Sequence, residues 1–200
     1  MLTFDPITHR YFEDGRRVPS VTQVMGLLYH EVFRWGNVAA MERGSDVHAR
    51  VEKYEKGQLR TIERDYAGYL DAWIKFRNDH RLGIPTIIET PMFSKRWGFA
   101  GTPDHVFGDL LVDIKTSPAH CPLTAIQTSA YKQLIDESGA PKIKRRMEVL
   151  LRPTGKYDVL EFKDFPSDFR RFQCCLSLYQ FMVKNYQKAN KEAQDGTVGE

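Results

Sequence analysis

The sequence is short of several features that would assign it to a specialised class of protein. It holds three cysteines, Cys121, Cys174 and Cys175, which form no CxxC pair and suit a reducing compartment. No apolar run approaches the roughly 18 residues that a membrane span requires, and the N-terminus lacks a basic and then apolar signal segment. Neither an internal repeat nor a low-complexity linker is present. We therefore expect a soluble, intracellular protein.

The composition is ordinary for a globular protein, with 42% hydrophobic and 28% charged residues. A net charge of +3 permits a nucleic-acid partner without arguing strongly for one. A length of 200 residues is typical of one domain with a real core. We predict a single domain that spans residues 1–200.

One stretch carries candidate chemistry, with Asp104 shortly after Gly101 and then Asp113 and Lys115 on an apolar strand. Residues two apart on a strand point to one face, so Asp113 and Lys115 project together, and a turn at Gly108 can bring Asp104 beside them. Two carboxylates and an ammonium group are what metal-assisted phosphodiester hydrolysis needs. Taken alone, an Asp-x-Lys pair more often solvates a surface. The stretch nevertheless indicates a divalent-metal hydrolase site.

Four motifs in order resemble the PD-(D/E)XK nuclease superfamily, and specifically its RecB-type exonuclease branch. That branch shows a helical His after a Gly, then G-x-x-D, then D-x-K, then Q-x-x-x-Y. The corresponding residues here are Gly44 and His48, Gly101 and Asp104, Asp113 and Lys115, and Gln127 and Tyr131. The resemblance covers roughly residues 40–135, and four ordered motifs are far more specific than any one of them.

The resemblance implies a metal-dependent catalytic site. It makes His48, Asp104, Asp113 and the carbonyl group of Ile114 ligands of one or two Mg²⁺ or Mn²⁺ ions, although a lone helical His is usually a surface or core residue. It makes Lys115 the group that orients or deprotonates water and offsets charge on the phosphate. Asp104, Asp113 and Lys115 are thus the expected catalytic residues.

Further residues are candidates for the metal site or for substrate binding. Glu89 could face the metal or the solvent, and both readings stay open. Gln127 and Tyr131 lie one helical turn apart, and the resemblance implies that they contact substrate and support the site. Lys95 and Arg96 stand with a tryptophan at a turn that is suited to phosphate contact, although a solvated turn fits the same pattern.

The resemblance also bears on cofactors, partners and source. Some relatives hold an iron–sulfur cluster on four cysteines, and three thiols cannot supply that set, so we expect no such cluster. The chain lacks a helicase motif such as a Walker A loop. We expect a stand-alone nuclease like those of phages or mobile elements, cytoplasmic in a bacterial or phage-infected host cell. DNA is the expected partner, with replication or recombination proteins beside it.

Periodicity and turn residues predict an α/β fold with a mixed central sheet flanked by helices, and the resemblance implies a restriction-endonuclease-like αβββαβ core. Helices are expected at about 37–56, 63–80, 122–137 and 166–189, and strands at about 86–93, 97–106, 110–115, 142–151 and 157–162. We divide the domain into an accessory hairpin and short helix (1–36), a nuclease core (37–165), a C-terminal helix (166–190) and a polar, frayed tail (191–200).

Local signals refine this outline. The pair Asp14 and Gly15 marks a hairpin turn within residues 2–18, and Ser20 with Gln23 resembles a capping box that opens a short helix. Aromatic and apolar side chains at helical spacing are assigned to core packing: Tyr66, Tyr69, Leu70, Trp73 and Phe76. The densest basic cluster is either a phosphate track or a solvated strand edge: Lys142, Lys144, Arg145 and Arg146.

These observations favour a metal-dependent DNA exonuclease that acts on single-stranded DNA or duplex ends in replication, recombination or repair. One alternative is a structure-specific endonuclease on the same scaffold. Another is a catalytically inactive nucleic-acid-binding protein. The presence of Asp104, Asp113 and Lys115 together counts against the last reading, because binding alone needs none of them.

Overall fold

The helices follow the apolar periodicity of the sequence. The computed structural model describes residues 1–6, 8–32, 38–61 and 63–196. The five helices of this part are α1 (Val21–Val32), α2 (Val38–Glu55), α3 (Arg64–Asp79), α4 (Leu123–Glu137) and α5 (Phe165–Gly196). The predicted start of α2 at residue 37 lies outside the described residues. Gly57, at a φ of 64° that favours glycine, follows the end of α2 as expected.

Ten short strands form three sheets among the described residues. They are β1 (Leu2–Asp5), β2 (Arg10–Glu13), β3 (Arg16–Val18), β4 (Ile87–Ile88), β5 (Met92–Ser94), β6 (Phe99–Gly101), β7 (His105–Phe107), β8 (Leu110–Lys115), β9 (Arg145–Leu151) and β10 (Tyr157–Glu161). The central sheet has the order β10-β9-β8-β7-β4. Strands β8 and β9 run parallel, joined through α4, and the other neighbours are antiparallel. The predicted mixed α/β fold is therefore confirmed.

Two of the predicted strands are wrong in their extent. The range 86–93 breaks at Glu89, whose φ of 39° cannot continue a strand, and the range 97–106 breaks at Pro103, which has no N–H to donate to a ladder. As a result β5 and β6 pair as a separate ribbon, while β4 and β7 stay in the central sheet. The break at Pro103 leaves Asp104 at the entrance to β7.

Hydrophobic cores cover both faces of the central sheet. One contains Leu111 with residues of α1, α4 and α5, and the other contains Val112 and Ile114 with residues of α2 and α3. Alternate residues of β8 thus enter different cores, as the period of a strand requires. Trp73 and Phe76 are fully buried in the second core, which confirms that the aromatic stripe of α3 is a packing surface.

The basic cluster near β9 is held largely by internal ion pairs. Arg146 is only 1% exposed, lies 2.7 Å from Asp168 and donates to the Ala125 carbonyl oxygen at 2.7 Å, so it ties β9 to α5 and α4. Arg145 pairs with Glu161 at 2.9 Å. Because Arg146 turns into the core, the reading of the whole cluster as a phosphate track is wrong.

Both ends of the chain follow the predicted elements, with one difference. Asp14 and Gly15 both have positive φ at the β2–β3 turn, and Ser20 and Gln23 cap α1 reciprocally with bonds of 3.0 and 3.1 Å. Helix α5 continues through Gly196, so the expected fraying of residues 191–200 is wrong as far as Gly196. The last four residues lie outside the described part. Among the described helices, none is both long and apolar enough to cross a membrane.

Candidate active site

Strand β8 ends in an ion pair with a hydrogen-bonded support. The carboxylate of Asp113 is fully buried and lies 2.5 Å from Nζ of Lys115. Lys115 also donates to the side-chain oxygen of Gln127 at 3.1 Å, and Gln127 in turn donates to the Tyr131 hydroxyl at 3.0 Å. Gln127 and Tyr131 come from consecutive turns of α4, so their spacing places both below Lys115. The chain of bonds fixes the ammonium group at the end of the strand.

Asp104 joins β7 to β8 through its side chain. Its Oδ2 accepts the backbone N–H of Ile114 at 2.7 Å, and its carbonyl oxygen accepts the N–H of Glu89 at 2.8 Å. Glu89 keeps the positive φ described above, a conformation that costs on the order of 1–3 kcal/mol for a residue other than glycine. This backbone geometry turns the Glu89 carboxylate toward the same site.

His48 enters the site from α2. Its Nδ1 lies 3.0 Å from Oε1 of Glu89 and 3.6 Å from Oδ2 of Asp104, and its Nε2 lies 3.0 Å from the carbonyl oxygen of Ile114. Carboxylate and carbonyl oxygens only accept, so the ring makes both contacts as hydrogen bonds when it is an imidazolium. Burial alone would lower the pKa of His48, but the charges of Asp104 and Glu89 outweigh it and raise the pKa to about 9.

Burial also shifts the two aspartates. It raises the pKa of Asp104 to about 6, against the opposing effect of His48, and it raises the pKa of Asp113 to about 6, against the opposing effect of Lys115. The site therefore holds carboxylates that release their protons near neutral pH, beside two cations that compensate them.

The donor atoms fit a hard divalent cation. One ligand atom each from His48, Glu89 and Asp104 lies within 4.8 Å of the others, and the Ile114 carbonyl faces the same histidine. Oδ1 of Asp113 is buried without a hydrogen-bond partner among the described residues, and such an oxygen favours a cation. Carboxylate and carbonyl oxygens are the ligands that Mg²⁺ and Mn²⁺ prefer. Asp113 itself stands outside the three-residue group.

A close approach of α4 explains the glycine of the second motif. A Cβ atom at Gly101 would lie 2.8 Å from Cε1 of Tyr131 and 3.0 Å from Cγ2 of Val21. A side chain there would push Tyr131 away from Gln127. Gly101 therefore serves the site by letting β6 and α4 pack closely.

The structure places two of the expected substrate-binding residues at the site and the other two in a turn away from it. Gln127 and Tyr131 join the site but are buried, so their visible role is to position Lys115. Lys95 lies near Asp14, and Arg96 lies over the Trp97 ring at 5.1 Å in the β5–β6 turn. Among the described residues, neither cation contacts the carboxylates of the site.

Three residues near the site carried no sequence signal. The Tyr11 hydroxyl shares a 2.7 Å hydrogen bond with the Thr102 hydroxyl, which docks the N-terminal hairpin beside Asp104. Glu148 lies opposite Asp113 on β9 and pairs with His120 at 2.9 Å. Only the pairing of strands brings these residues close to the motifs, so spacing along the chain could not have found them.

Comparisons with known proteins give a likeness of fold. No protein-family model matches the chain, and no curated protein matches its sequence. The crystal structure of a candidate exonuclease from Eubacterium rectale is similar with a TM-score of 0.54 and 10% identity, over 80% of this chain and 73% of that one. The alkaline exonuclease LHK-Exo from Laribacter hongkongensis aligns with a TM-score of 0.44 and 14% identity, over 88% of this chain and 93% of that one. Its complex with dAMP gives a TM-score of 0.45 and 14% identity, over 90% and 94%. The first likeness shows a shared fold.

Proposed function

We propose that the protein hydrolyses phosphodiester bonds in DNA with the help of a divalent metal ion. One observation carries the proposal, namely the convergence of three metal donors with a buried carboxylate–ammonium pair at the end of β8. Removing charged groups from water costs free energy, and neither a packed core nor a binding surface needs so many of them in one place. The cluster therefore favours catalysis over binding alone.

In this proposal the residues at the end of β8 hold the ion. His48, Glu89 and Asp104 would supply one ligand atom each, with Asp113 and the Ile114 carbonyl beside them. The donor set supports Mg²⁺ or Mn²⁺. A bound ion would activate water and offset the charge of the phosphate.

Lys115 supplies the second charge of the proposed reaction. Asp113 and Gln127 hold its ammonium group in place, so little reorganisation is needed when negative charge develops on the phosphate. Its proposed role is to orient or deprotonate the attacking water. The buried surroundings strengthen this effect, because solvent screens charges less there.

The proposed substrate is a DNA strand that enters from a free end, either single-stranded or at a duplex end. The name of the Eubacterium rectale protein, which shares the fold, supports exonuclease action. The N-terminal hairpin, which Tyr11 docks beside Asp104, and helix α2, which carries His48, both border the site. Together they would narrow the path of the substrate to the metal ligands. The hairpin also offers exposed cations without an ion pair in the described part of the chain: Arg10, Arg16 and Arg17.

Digestion of matched linear and circular strands tests the end requirement. In Mg²⁺ or Mn²⁺ the protein should consume a linear single strand, while a covalently closed circle of the same sequence should persist. The Lys115→Ala variant serves as a control for contaminating nucleases. Equal rates on the two substrates would contradict exonuclease action and favour a structure-specific endonuclease.

A further inference from the structure

A second pair of a histidine and a carboxylate lies on the other side of β8. Glu148 on β9 is the parallel register partner of Asp113, so the two side chains point to the same face of the sheet. The Glu148 side chain is 0% exposed. Its Oε1 lies 2.9 Å from Nδ1 of His120, and its Oε2 has no hydrogen-bond partner among the described residues. A carboxylate buried in this way depends on the histidine for its stabilisation.

His120 connects this buried carboxylate to the surface. It precedes α4, and its side chain is 30% exposed. Glu148 accepts from Nδ1 and thereby fixes the ring, while Nε2 makes no hydrogen bond within the described chain. A ring that a buried acid holds on one side presents its other nitrogen in a fixed direction.

Strand pairing places this pair close to the lysine of the proposed reaction. Glu148 is the register partner of Asp113, whose carboxylate lies 2.5 Å from Nζ of Lys115. His120 lies in the short segment between the end of β8 at Lys115 and the start of α4, so it leaves the sheet at the same end of the strand. Arg146, two residues before Glu148 on the same face of β9, is engaged by Asp168 and α4 instead.

The ligand that we assign to the open nitrogen is an anion, which a protonated ring can bind through its second N–H group. A metal site needs several donors, and in the described part of the chain the one group of three that could hold an ion lies at His48 rather than here. An imidazolium between a buried carboxylate and a phosphate oxygen has both of its N–H groups satisfied.

We propose that His120, oriented by Glu148, binds a backbone phosphate of the DNA strand next to the phosphate that Lys115 and the proposed metal ion would bind. The proposal rests on the nuclease function proposed above. Glu148 is a positioning residue, because it acts through His120 and lies out of reach of the substrate.

The salt dependence of DNA binding tests this contact without relying on cleavage. The affinity for a single-stranded oligonucleotide would be measured in Ca²⁺ over a series of salt concentrations, for the wild type and for His120→Gln. Loss of one charge-assisted contact should weaken binding by about 10-fold or more. The slope of log affinity against log salt should fall in magnitude by about 0.7, the value for one phosphate of a single strand. His80→Gln is the matched control, because the His80 ring packs at a tilt against Phe76 with the ring centroids 4.7 Å apart, and it should change neither quantity.

Additional variants separate binding from a structural role. Glu148→Gln should weaken binding in the same direction, and the double variant should bind no worse than His120→Gln, because both act on one contact. His120→Lys, which restores a cation, should recover the slope. In cleavage assays KM should rise by about 10-fold for His120→Gln, with kcat changed by less than about 3-fold.

The outcomes distinguish this contact from the nuclease function itself. An unchanged salt slope in His120→Gln, or a fall in kcat with unchanged affinity, would overturn the phosphate contact, and so would a wild type that does not bind DNA. A wild type that binds DNA in Ca²⁺ but cuts nothing in Mg²⁺ or Mn²⁺ would refute the nuclease function, while the slopes would still decide the role of His120.

Discussion

Two histidines flank strand β8, and their surroundings assign them different tasks. His48 on the β7 side lies beside two carboxylates and a backbone carbonyl. When the His48 ring loses its proton, these groups together form a set of candidate metal ligands. His120 on the β9 side meets one carboxylate and leaves Nε2 open. The number of converging acceptors, rather than the residue type, separates a candidate metal ligand from a candidate phosphate contact.

The comparison also divides the proposed reaction into two halves. The β7 side would hold the ion, the β9 side would hold the strand, and Lys115 stands between them at the end of β8. Substitutions on the β7 side should therefore reduce metal affinity and turnover, whereas those on the β9 side should reduce DNA affinity.

The largest loss of turnover that leaves metal and DNA affinity intact is expected from Lys115→Ala, at the centre of the division. Loss of a preorganised charge that acts on the transition state typically lowers kcat by about 10²-fold or more. Affinities for Mn²⁺ and for DNA should stay within a few-fold of the wild type. Lys75→Ala, which removes an exposed lysine paired with Asp79, is the control and should leave kcat unchanged. Near-normal turnover in Lys115→Ala would show that the Asp-x-Lys motif is coincidental.

A smaller effect, a loss of metal affinity, is expected from Glu89→Gln on the β7 side. The substitution removes a charged ligand atom together with the carboxylate that orients His48, and loss of such an orienting partner alone typically costs about 10- to 100-fold in metal affinity. Titration of the protein with Mn²⁺ in a calorimeter measures it, with Glu52→Gln on the same helix as His48 as the control. Equal Mn²⁺ affinity in Glu89→Gln and the wild type would remove Glu89 from the proposed metal ligands and leave it as the hydrogen-bond partner of His48.

The pH dependence of metal affinity gives the next test of the β7 side. A metal binds the deprotonated forms of its ligands, and the pKa values of Asp104 and Asp113 are about 6 while that of His48 is about 9. The Mn²⁺ affinity should therefore rise between pH 6 and pH 9, with the part above pH 7 due to His48. In His48→Gln the rise above pH 7 should disappear, and a persistent rise would assign that titration to another group.

Stability without metal should change in the opposite direction over the same range. Because the folded-state pKa of His48 lies above its unfolded value of 6.5, its contribution to the free energy of unfolding is complete below pH 6.5 and is lost as pH rises through about 9. Urea unfolding in EDTA at pH 6.5 and pH 9.5 should thus show a larger loss of stability for the wild type than for His48→Gln. An equal loss in both proteins would contradict the assigned imidazolium.

The smallest effect is expected from Tyr131→Phe, which touches neither side directly. It removes the hydroxyl to which Gln127 donates and leaves a buried amide N–H without a partner. Such a loss typically lowers the free energy of unfolding by about 1–3 kcal/mol. If Tyr131 positions Lys115, kcat should fall by up to about 10-fold with unchanged DNA affinity. A loss of DNA affinity with unchanged kcat would instead support the substrate contact expected from the sequence.

The sequence predicts those parts of the site in which residues lie close together along the chain. Asp113 and Lys115 share a strand face, and Gln127 and Tyr131 share a helix face, so the period of each element places them together. The bounds of α3 and β8 followed from apolar periodicity for the same reason. The mixed central sheet was predicted as well, because strands and helices follow each other in the order that such a sheet requires.

The rest depends on strand pairing and backbone geometry, which spacing does not encode. Glu89 reaches His48 because its own φ is positive, and the same residue breaks a strand that periodicity predicts as continuous. Glu148 lies beside Asp113 through the β8–β9 register, which joins residues 35 positions apart. Arg146 resembles a surface cation in sequence but is buried by its pairing with Asp168 on α5.

Cleavage of a linear single strand with and without chelator tests the central claim most directly. The wild type should cut in Mg²⁺ or Mn²⁺, lose all cutting in excess EDTA and regain it when the ion is restored, while its far-ultraviolet circular dichroism stays constant. Asp104→Asn should remain folded and fail to cut under every condition. Undiminished cleavage by the wild type in excess EDTA, or full activity of Asp104→Asn, would contradict a metal-dependent nuclease site at the end of β8.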